Sequence, residues 1–177
     1  MTQGQGASVL VRAFAETSQA EYLKGAIQAV EVLCRDENAN GLCARVNGGL
    51  MPQEYPKPVR HVLNGAITAF FGLHDVAVIT ENRNLLAARD EILESFARIL
   101  PQYDAGYWSW YSLSPKRLGA PHYHDIHIDQ LTALLSISGD DRFRHYADLF
   151  SRYREHAYSR FLFSANRTIQ RMRDRIR

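Results

Sequence analysis

Tyrosine side chains stand beside a carboxylate or an imidazole at two places in the sequence. Tyr55 follows Glu54, and Tyr123 precedes His124. A phenol with a suitable neighbour can accept or donate a proton, as a general base or acid does. An unperturbed phenol has a pKa of about 10, so a tyrosine base near neutrality needs a neighbouring cation or hydrogen-bond donor that favours phenolate. The two pairs indicate proton-transfer chemistry, whereas most loop tyrosines are half-buried packing anchors.

Helical periodicity fills most of the rest of the chain. Apolar residues recur every three or four positions in six segments, and the short links between them favour three antiparallel helix hairpins. The pattern predicts an all-α fold, and we expect an α/α toroid, a partial barrel of helix hairpins whose loops line a groove. The six segments are Val9–Phe14, Tyr22–Leu33, Val62–Ile79, Leu85–Leu100, His127–Leu135 and Phe143–Tyr153.

Two stretches do not follow the helical pattern. Asn38–Pro58 holds Asn-Gly dipeptides and three prolines, which predicts a structured loop with turns. Residues 107–113 alternate between two faces with period two, which is typical of a short extended, β-like segment. Tyr55, Tyr111 and Tyr123 are therefore expected in or beside non-helical segments.

Size and composition favour one domain. A chain of 177 residues that is 46% hydrophobic can bury one core, and we expect a single domain over residues 1–177, with the toroid in 1–157 and a basic helix or tail in 158–177. The net charge of +2 argues against an obligate nucleic-acid binder. Cys34 and Cys43 lack the spacing of a zinc site and are expected to be ordinary thiols, and no metal-ligand cluster is recognisable.

Neither a secretory signal nor a membrane span is recognisable, so we expect this chain to be soluble. Met1–Gly6 lacks a basic start, and the apolar run Leu10–Phe14 is far too short to cross a bilayer. The longer run Val62–Ile79 is interrupted by an asparagine, a histidine and an aspartate, which favours a core helix. An upstream segment could direct export, so the compartment stays open.

Five short motifs occur in the order in which they are found in the C-terminal domain of glucuronyl C5-epimerases, and the chain resembles that family. Each motif alone is weak, but five in register over about a hundred residues are not expected from shared helical periodicity. Gly4–Gly6 resembles the family's opening helix, and Gly106–Ser109 resembles its bacterial, heparosan-glucuronate 5-epimerase-like members. The five motifs are Glu54–Pro56, Val62–Gly65, Gly72–Asp75, Leu100–Asp104 and Tyr123–Leu131.

This resemblance implies cofactor-independent inversion at C5 of a hexuronic acid within a polysaccharide, glucuronate to iduronate. C5 lies beside the carboxylate, so its proton leaves when negative charge spreads into that carboxylate, and inversion needs a proton donor on the opposite sugar face. By position in the family's motifs, the proton-transfer candidates are Tyr55, Tyr111 and Tyr123, with Glu54 as an accessory carboxylate. We expect Tyr55 and either Tyr111 or Tyr123 to face opposite sides of C5.

Four further residues are substrate-binding candidates. His124 or His127 would orient or activate a phenol, whereas a histidine at a helix start is often a satisfied core residue. Asn64 would contact sugar hydroxyls or, equally, bond to neighbouring backbone in the core. Trp108 would stack on a sugar ring, although a tryptophan on an extended segment more often fills the core.

The surroundings of Tyr111 depart from the family pattern. Bacterial members carry an arginine and an aspartate beside this tyrosine, where the present chain has Trp110 and Ser112. Lys116 and Arg117 lie close enough in sequence to replace the missing cation as partners of a uronate.

Three functions remain open on this basis. An acidic polysaccharide is the expected partner of an epimerase, and a homo-oligomer or the family's upstream β-rich region is expected to help build its groove. The altered neighbours of Tyr111 favour, as the alternative, a non-catalytic uronate-polysaccharide-binding domain or an inactive epimerase remnant. A lyase ranks last, since it begins with the same C5 deprotonation and then loses the C4 substituent.

Overall fold

Helices make up most of this structure, a computed structural model that describes residues 1–55 and 57–176. Pro56, in the first family motif, and Arg177, in the basic segment, lie outside the described residues. Two small β hairpins accompany the helices, and the predicted all-α class is confirmed. The helices are α1 Thr2–Thr17, α2 Ala20–Glu31, α3 Leu63–Thr80, α4 Arg83–Ile99, α5 Pro121–Ser138, α6 Asp141–Glu155 and α7 Ala157–Ile176, and the strands are β1 Cys43–Val46, β2 Gly49–Pro52, β3 Trp110–Leu113 and β4 Lys116–Leu118.

The chain divides into two compact units, Met1–Ile99 and the residues from Leu100 onward. The first unit contains α1 to α4 and the β1–β2 hairpin, and the second contains the β3–β4 hairpin and α5 to α7. Helix α1 packs on α2, α3 on α4 and α5 on α6, so the three predicted helix hairpins are confirmed. The toroid and the single domain stay predictions.

In the first unit, α1 and α3 touch through their backbones at two glycines. A Cβ atom added to Gly4 would lie 2.6 Å from the Cα atom of Ala69, and one added to Gly72 would collide with the carbonyl group of Gly4. These obstacles are backbone atoms, so the helices would have to move apart to admit a methyl group. Ser8 on α1 donates to Asp75 Oδ2 on α3 at 2.7 Å, one turn further along α1. Glycine at positions 4 and 72 is thus a packing requirement.

Helix α3 is the core helix of the first unit. It is long and apolar enough to cross a membrane by length and composition alone, but more than half of its residues are buried inside the protein. Its buried residues extend around the helix, so its sequence forms an apolar run with no single stripe. The predicted core helix is confirmed.

The predicted turn-rich segment after α2 contains a hairpin that the sequence analysis did not predict. Strands β1 and β2 pair with Val46 opposite Gly49. Asn47 and Gly48 form the turn with φ of 49° and 80°. Positive φ at both central residues is typical of a type I′ turn, whose twist matches that of paired strands. Each strand has only four residues, too few for alternation to reveal it.

Helix α5 begins at Pro121, well before the predicted helix start at His127. Proline suits the first turn because its missing N–H would have no helical partner there. His124 and His127 form the buried face of this part of the helix. Because these side chains are polar, the apolar stripe starts late in the sequence. The expectation that Tyr123 lies in or beside a loop was wrong, since it belongs to the first turn of α5.

The predicted extended segment at 107–113 is confirmed in part. Strand β3 pairs antiparallel with β4, with an irregularity between Trp110 and Ser112. Residues 107–109 precede the strand, and Ser109 forms an isolated bridge with Asp104.

Helix α7, the predicted basic helix, packs on the β3–β4 hairpin. Arg167 donates to the carbonyl oxygen of Leu118 at 2.9 Å, and Gln170 Oε1 accepts from the Leu118 N–H at 3.3 Å. Phe163 stacks on Trp108 with ring centroids 4.6 Å apart. The basic segment is therefore a helix that closes one side of the hairpin.

Replacing Gly72 by Ala tests the backbone contact between α1 and α3. The new methyl group meets the carbonyl group of Gly4, so we expect Gly72→Ala to lower the free energy of unfolding by about 2 kcal/mol or more. A Cβ atom at Gly6, an exposed position of α1, meets nothing within 4 Å. Gly6→Ala should therefore stabilise by up to about 1 kcal/mol through helix propensity. Urea unfolding followed by circular dichroism measures both changes. Equal changes in the free energy of unfolding for the two variants would contradict the close backbone contact between α1 and α3.

Candidate active site

Tyr111 and Tyr123 lie against each other in the second unit. Tyr111 is on β3 and Tyr123 is in the first turn of α5, with ring centroids 4.7 Å apart and ring planes inclined by 45°. The imidazole of His122 also lies near Tyr123, with ring centroids 4.2 Å apart. Both tyrosines are half-buried. The structure thus brings together two of the three predicted proton-transfer residues.

A buried hydrogen-bond cluster joins the segment before β3 to α5. The Oγ atom of Ser109 lies 2.7 Å from Nδ1 of His124 and 2.8 Å from Nδ1 of His127. The backbone N–H of Ser109 also donates to Nδ1 of His124, at 3.2 Å. The other ring nitrogen of His124, Nε2, lies 2.9 Å from the carbonyl oxygen of Phe150 on α6. These hydrogen bonds therefore connect three segments of the second unit, the segment before β3, α5 and α6, beside the two tyrosines.

Trp108 covers this cluster. Its indole ring stacks on His124 with centroids 3.9 Å apart and an interplanar angle of 14°. Its Nε1–H donates to the carbonyl oxygen of Gly119 at 2.8 Å. Trp108, His124 and His127 are all buried. Of the roles that the sequence analysis left open, the geometry therefore favours packing for Trp108 and hydrogen bonding within the protein for the two histidines over contact with substrate.

Burial keeps both histidines neutral at pH 7. It lowers the pKa of His124 to about 4, with Arg154 acting in the same direction, while the hydrogen bond to Phe150 and the charge of Asp125 act against it. Burial lowers the pKa of His127 to about 3, and the neighbouring His124 adds to the effect. A neutral imidazole has one N–H donor and one bare acceptor nitrogen. Each ring must therefore use its two nitrogens differently.

In the first unit, Tyr55 lies beneath a cation. Tyr55 is 44% exposed, and the guanidinium carbon of Arg60 lies 5.4 Å from the centroid of its ring. The ring face attracts a cation, by on the order of 0.5–1 kcal/mol at an exposed site. The phenol that follows Glu54 is therefore accessible and has a positive charge beside it.

The carboxylate of Glu54 lies against the first turn of α3. A Cβ atom added to Gly65 would lie 2.5 Å from Oε2 of Glu54, so glycine leaves the space that the carboxylate uses. That oxygen is buried and accepts no hydrogen bond from the described residues. The free N–H groups of a helix N-terminus favour a negative charge there. Asn64 is in the same turn and only 7% exposed, which favours a structural role for its amide.

Lys116 and Arg117 are exposed on β4, next to the strand that carries Tyr111. The Nζ atom of Lys116 lies 5.6 Å from the centroid of the Trp110 ring. Arg117 is paired with Ser112 in the strand register. The hairpin thus carries cations where the sequence departs from the family pattern, and their contact with a uronate stays a prediction.

The described residues include no group of three or more His, Cys, Asp or Glu side chains placed to hold a metal ion. Cys34 and Cys43 are free thiols, as predicted, and burial raises their pKa to about 11 and about 12. The phenols, the carboxylate of Glu54 and the nearby cations described above can move protons and bind an anionic sugar.

The sequence analysis missed two residues of this arrangement. Ser109 is a small residue among aromatics, and the one available signal was its place two residues before Tyr111, on the same side of an extended chain. Arg60 reaches Tyr55 because of the path of the intervening loop, and periodicity gives no information on such a path.

The lowered histidine pKa values predict a loss of stability in acid. About one pH unit above 6.5, the pKa in the unfolded state, the rings are largely neutral in both states. As the pH falls from there towards about 4 for His124 and about 3 for His127, the unfolded chain binds more protons than the folded one. We expect the free energy of unfolding to fall by on the order of 4 kcal/mol between pH 7.5 and pH 5, about 2 kcal/mol for each of the two histidines. Urea unfolding at both pH values measures this loss. His61 and His74, whose pKa values burial also lowers, add to it in the same direction.

His127→Asn is the matched variant for this prediction. The side-chain amide of asparagine can replace the imidazole Nδ1 as a hydrogen-bonding partner of Ser109, while the titrating ring is removed. We expect the variant to be less stable than the wild type at pH 7.5 but to lose less stability on acidification. An unchanged pH dependence would show that His127 does not contribute.

The sequence of this chain is similar to known proteins over most of its length. Residues 1–152 match the profile of the D-glucuronyl C5-epimerase C-terminus. The D-glucuronyl C5-epimerase of Caenorhabditis elegans is 31% identical over 172 residues, which cover 86% of this chain and 28% of that protein. An uncharacterized protein of Methanocaldococcus jannaschii is 36% identical over 95 residues, which cover 54% of this chain and 30% of that protein.

The chain spans less than a third of the length of these two relatives. The profile match includes both tyrosine-bearing segments and the Ser109 cluster, and it ends before α7. On the extent of this match, the chain belongs to the D-glucuronyl C5-epimerase family, of which it represents the C-terminal part.

Proposed function

We propose that this chain is the proton-transferring part of an enzyme that inverts C5 of glucuronate residues in an acidic polysaccharide, giving iduronate. The observation that carries the proposal is the Tyr111–Tyr123 pair, with ring centroids 4.7 Å apart, inside the family-matched region. Tyr55, with Glu54 before it and Arg60 over its ring, is the third candidate.

The reaction needs two proton-transfer groups and no redox step. A phenolate oxygen removes the C5 proton, the C–H bond breaks, and its electron pair spreads into the adjacent carboxylate. A phenol on the opposite face then donates its proton to C5, and the new C–H bond has inverted configuration. Proton exchange with solvent then returns the first residue to its phenolate form and the second to its phenol form. Tyr55, Tyr111 and Tyr123 are the candidates for the two roles.

A cation beside the uronate carboxylate would stabilise the charge that develops during this step. Arg60 lies over the Tyr55 ring and Lys116 lies over the Trp110 ring, so each is a candidate partner of a uronate in its own unit. A guanidinium can hold a carboxylate with two parallel hydrogen bonds, whereas an ammonium acts as a point charge.

A non-catalytic polysaccharide-binding domain is the second candidate. Trp110 and Ser112 stand beside Tyr111 in place of the family's arginine and aspartate, and the half-buried indole of Trp110 has Lys116 over its ring. An aromatic face next to a cation suits an anionic sugar without any proton transfer. The rest of a longer chain, or a second copy of this one, is proposed to complete the groove.

Incubation with a glucuronate polymer in heavy water separates these functions. Heparosan is the first substrate, and NMR follows the loss of the C5 proton signal and the appearance of iduronate. Epimerisation predicts both changes, whereas a binding domain gives line broadening of the polymer signals without exchange. A lyase would give unsaturated products that absorb in the ultraviolet.

Removing the Tyr123 hydroxyl tests its role in proton transfer. We expect Tyr123→Phe to lower the C5 exchange rate by about a hundredfold or more, because a phenyl ring can neither accept nor donate the proton. Tyr158→Phe is the matched control, since Tyr158 is 62% exposed on α7, outside the family match. Near-normal exchange in folded Tyr123→Phe would remove this residue from the mechanism, and Tyr111→Phe and Tyr55→Phe test the other two candidates.

Removing the Arg60 charge tests carboxylate pairing at Tyr55. We expect Arg60→Gln to raise KM for the polymer by roughly tenfold, the equivalent of one charge-assisted hydrogen bond. Lys57→Gln removes an exposed charge from the same loop and should change KM far less. Equal effects of the two substitutions would mean that only the net charge of the loop matters.

A further inference from the structure

We propose that Ser109 is a positioning residue for the Tyr111–Tyr123 pair, and that its hydroxyl holds His124 and His127 in opposite tautomers. Its effect on catalysis rests on the proposed function, whereas the tautomers and the ring contact are properties of the folded chain alone. Ser109 would act through the two imidazoles, since its hydroxyl oxygen lies 2.7 Å from Nδ1 of His124 and 2.8 Å from Nδ1 of His127.

The directions of the hydrogen bonds follow from His124. Its Nδ1 accepts the backbone N–H of Ser109, so this nitrogen carries no proton. The proton is therefore on Nε2, which suits donation to the carbonyl oxygen of Phe150 at 2.9 Å. The Oγ atom of Ser109 lies 2.7 Å from the same bare Nδ1, and two lone pairs cannot face each other at that distance. The hydroxyl of Ser109 must donate to His124.

The tautomer of His127 follows in turn. The single hydroxyl proton of Ser109 points at His124, so at 2.8 Å from His127 the Oγ atom accepts and Nδ1 of His127 donates. The Nε2 atom of His127 is then bare. This atom is buried and has no partner among the described residues. A bare acceptor nitrogen tolerates that position better than an unsatisfied N–H donor, which agrees with the assignment.

The cluster is well placed to fix the tyrosines. Ser109 is two residues before Tyr111, a span of about 7 Å of extended chain, and His124 directly follows Tyr123. Ser109 makes the three hydrogen bonds described above with the α5 imidazoles, and its carbonyl oxygen accepts from Gly119 N–H at 3.0 Å within the hairpin. Loss of the hydroxyl should therefore let the hairpin shift relative to α5.

Nitrogen NMR of the imidazoles tests the assignment in the full chain at pH 7. Long-range ¹H–¹⁵N correlation spectra distinguish a protonated from a bare ring nitrogen. We expect the Nε2–H tautomer for His124 and the Nδ1–H tautomer, the minor form of free histidine, for His127. A His127 ring in the Nε2–H form, or a charged ring at either position, would overturn the proposal.

Ser109→Ala is the test variant and Ser112→Ala its matched control. Ser112, like Ser109, is a buried serine, but its hydroxyl donates to the carbonyl oxygen of Pro115 at 2.8 Å. We expect Ser109→Ala to shift His127 towards the Nε2–H tautomer and to lower kcat for C5 exchange by roughly tenfold to a hundredfold with little change in KM. Ser112→Ala should retain the tautomers and kcat.

The two proposals fail in different ways. Wild-type tautomers that differ from the assignment overturn the positioning role even where C5 exchange is observed. If the wild-type chain has the assigned tautomers but shows no C5 exchange, the proposed function fails and the positioning role does not. The cluster would then orient the two tyrosines for a purpose other than epimerisation. A Ser109→Ala variant with reduced thermal stability but unchanged tautomers and kcat would show that Ser109 is merely structural.

Discussion

The packing of the second unit depends on the hydrogen bonds made by the hydroxyl group of Ser109. Two imidazoles that are fully removed from water share this one oxygen, and a third bond leads from His124 to the backbone of α6. A buried polar group without a partner costs about 1–3 kcal/mol, so the hydrogen bonds at both Nδ1 atoms and at Nε2 of His124 favour one arrangement of the cluster, in which Nε2 of His127 alone has no partner among the described residues. Trp108 closes the cluster against α7, and the hairpin, α5, α6 and α7 are thereby joined around one polar centre.

The first unit is organised by close approach of backbones. Gly4 and Gly72 let α1 and α3 touch, and Gly65 gives the carboxylate of Glu54 its place at the start of α3. In both units a small residue lies where a chemistry-bearing group meets the first turn of a helix, Gly65 beside the Glu54 carboxylate at α3 and Ser109 bonded to His124, next to Tyr123, in α5. In the first unit the small residues are glycines, and in the second it is a serine that also supplies hydrogen bonds.

The sequence predicted the helices well because each hides an apolar surface. Helix α4, Arg83–Ile99, contains the whole predicted periodic segment except its last residue. Helix α5 was placed too late because its first buried positions are the polar residues His124 and His127, which become core residues only by bonding to Ser109. The β1–β2 hairpin was missed because four-residue strands carry too little pattern.

The candidate site was predictable by residue type but not by role. Motif positions led to Tyr55, Tyr111 and Tyr123, and the Tyr111–Tyr123 contact depends on a tertiary pairing that spacing does not specify. The sequence analysis offered substrate binding and the orienting of a phenol for the two histidines, and their burial and bonding partners favour the second role. Whether a histidine faces solvent or core depends on which neighbour can satisfy its nitrogens, and that information lies in the fold.

The most direct test of this account is the distance between the Tyr111 and Tyr123 rings in solution. The measurement is the nuclear Overhauser effect between ring protons in a tyrosine-labelled chain at pH 7, with Tyr111→Phe and Tyr123→Phe used to assign the signals. Centroids 4.7 Å apart predict strong cross-peaks between the two rings in the wild type, and weaker ones when Ser109 is replaced by Ala. Absent cross-peaks in the wild type, or cross-peaks unchanged in Ser109→Ala, would contradict the claim that the buried cluster positions the two phenols.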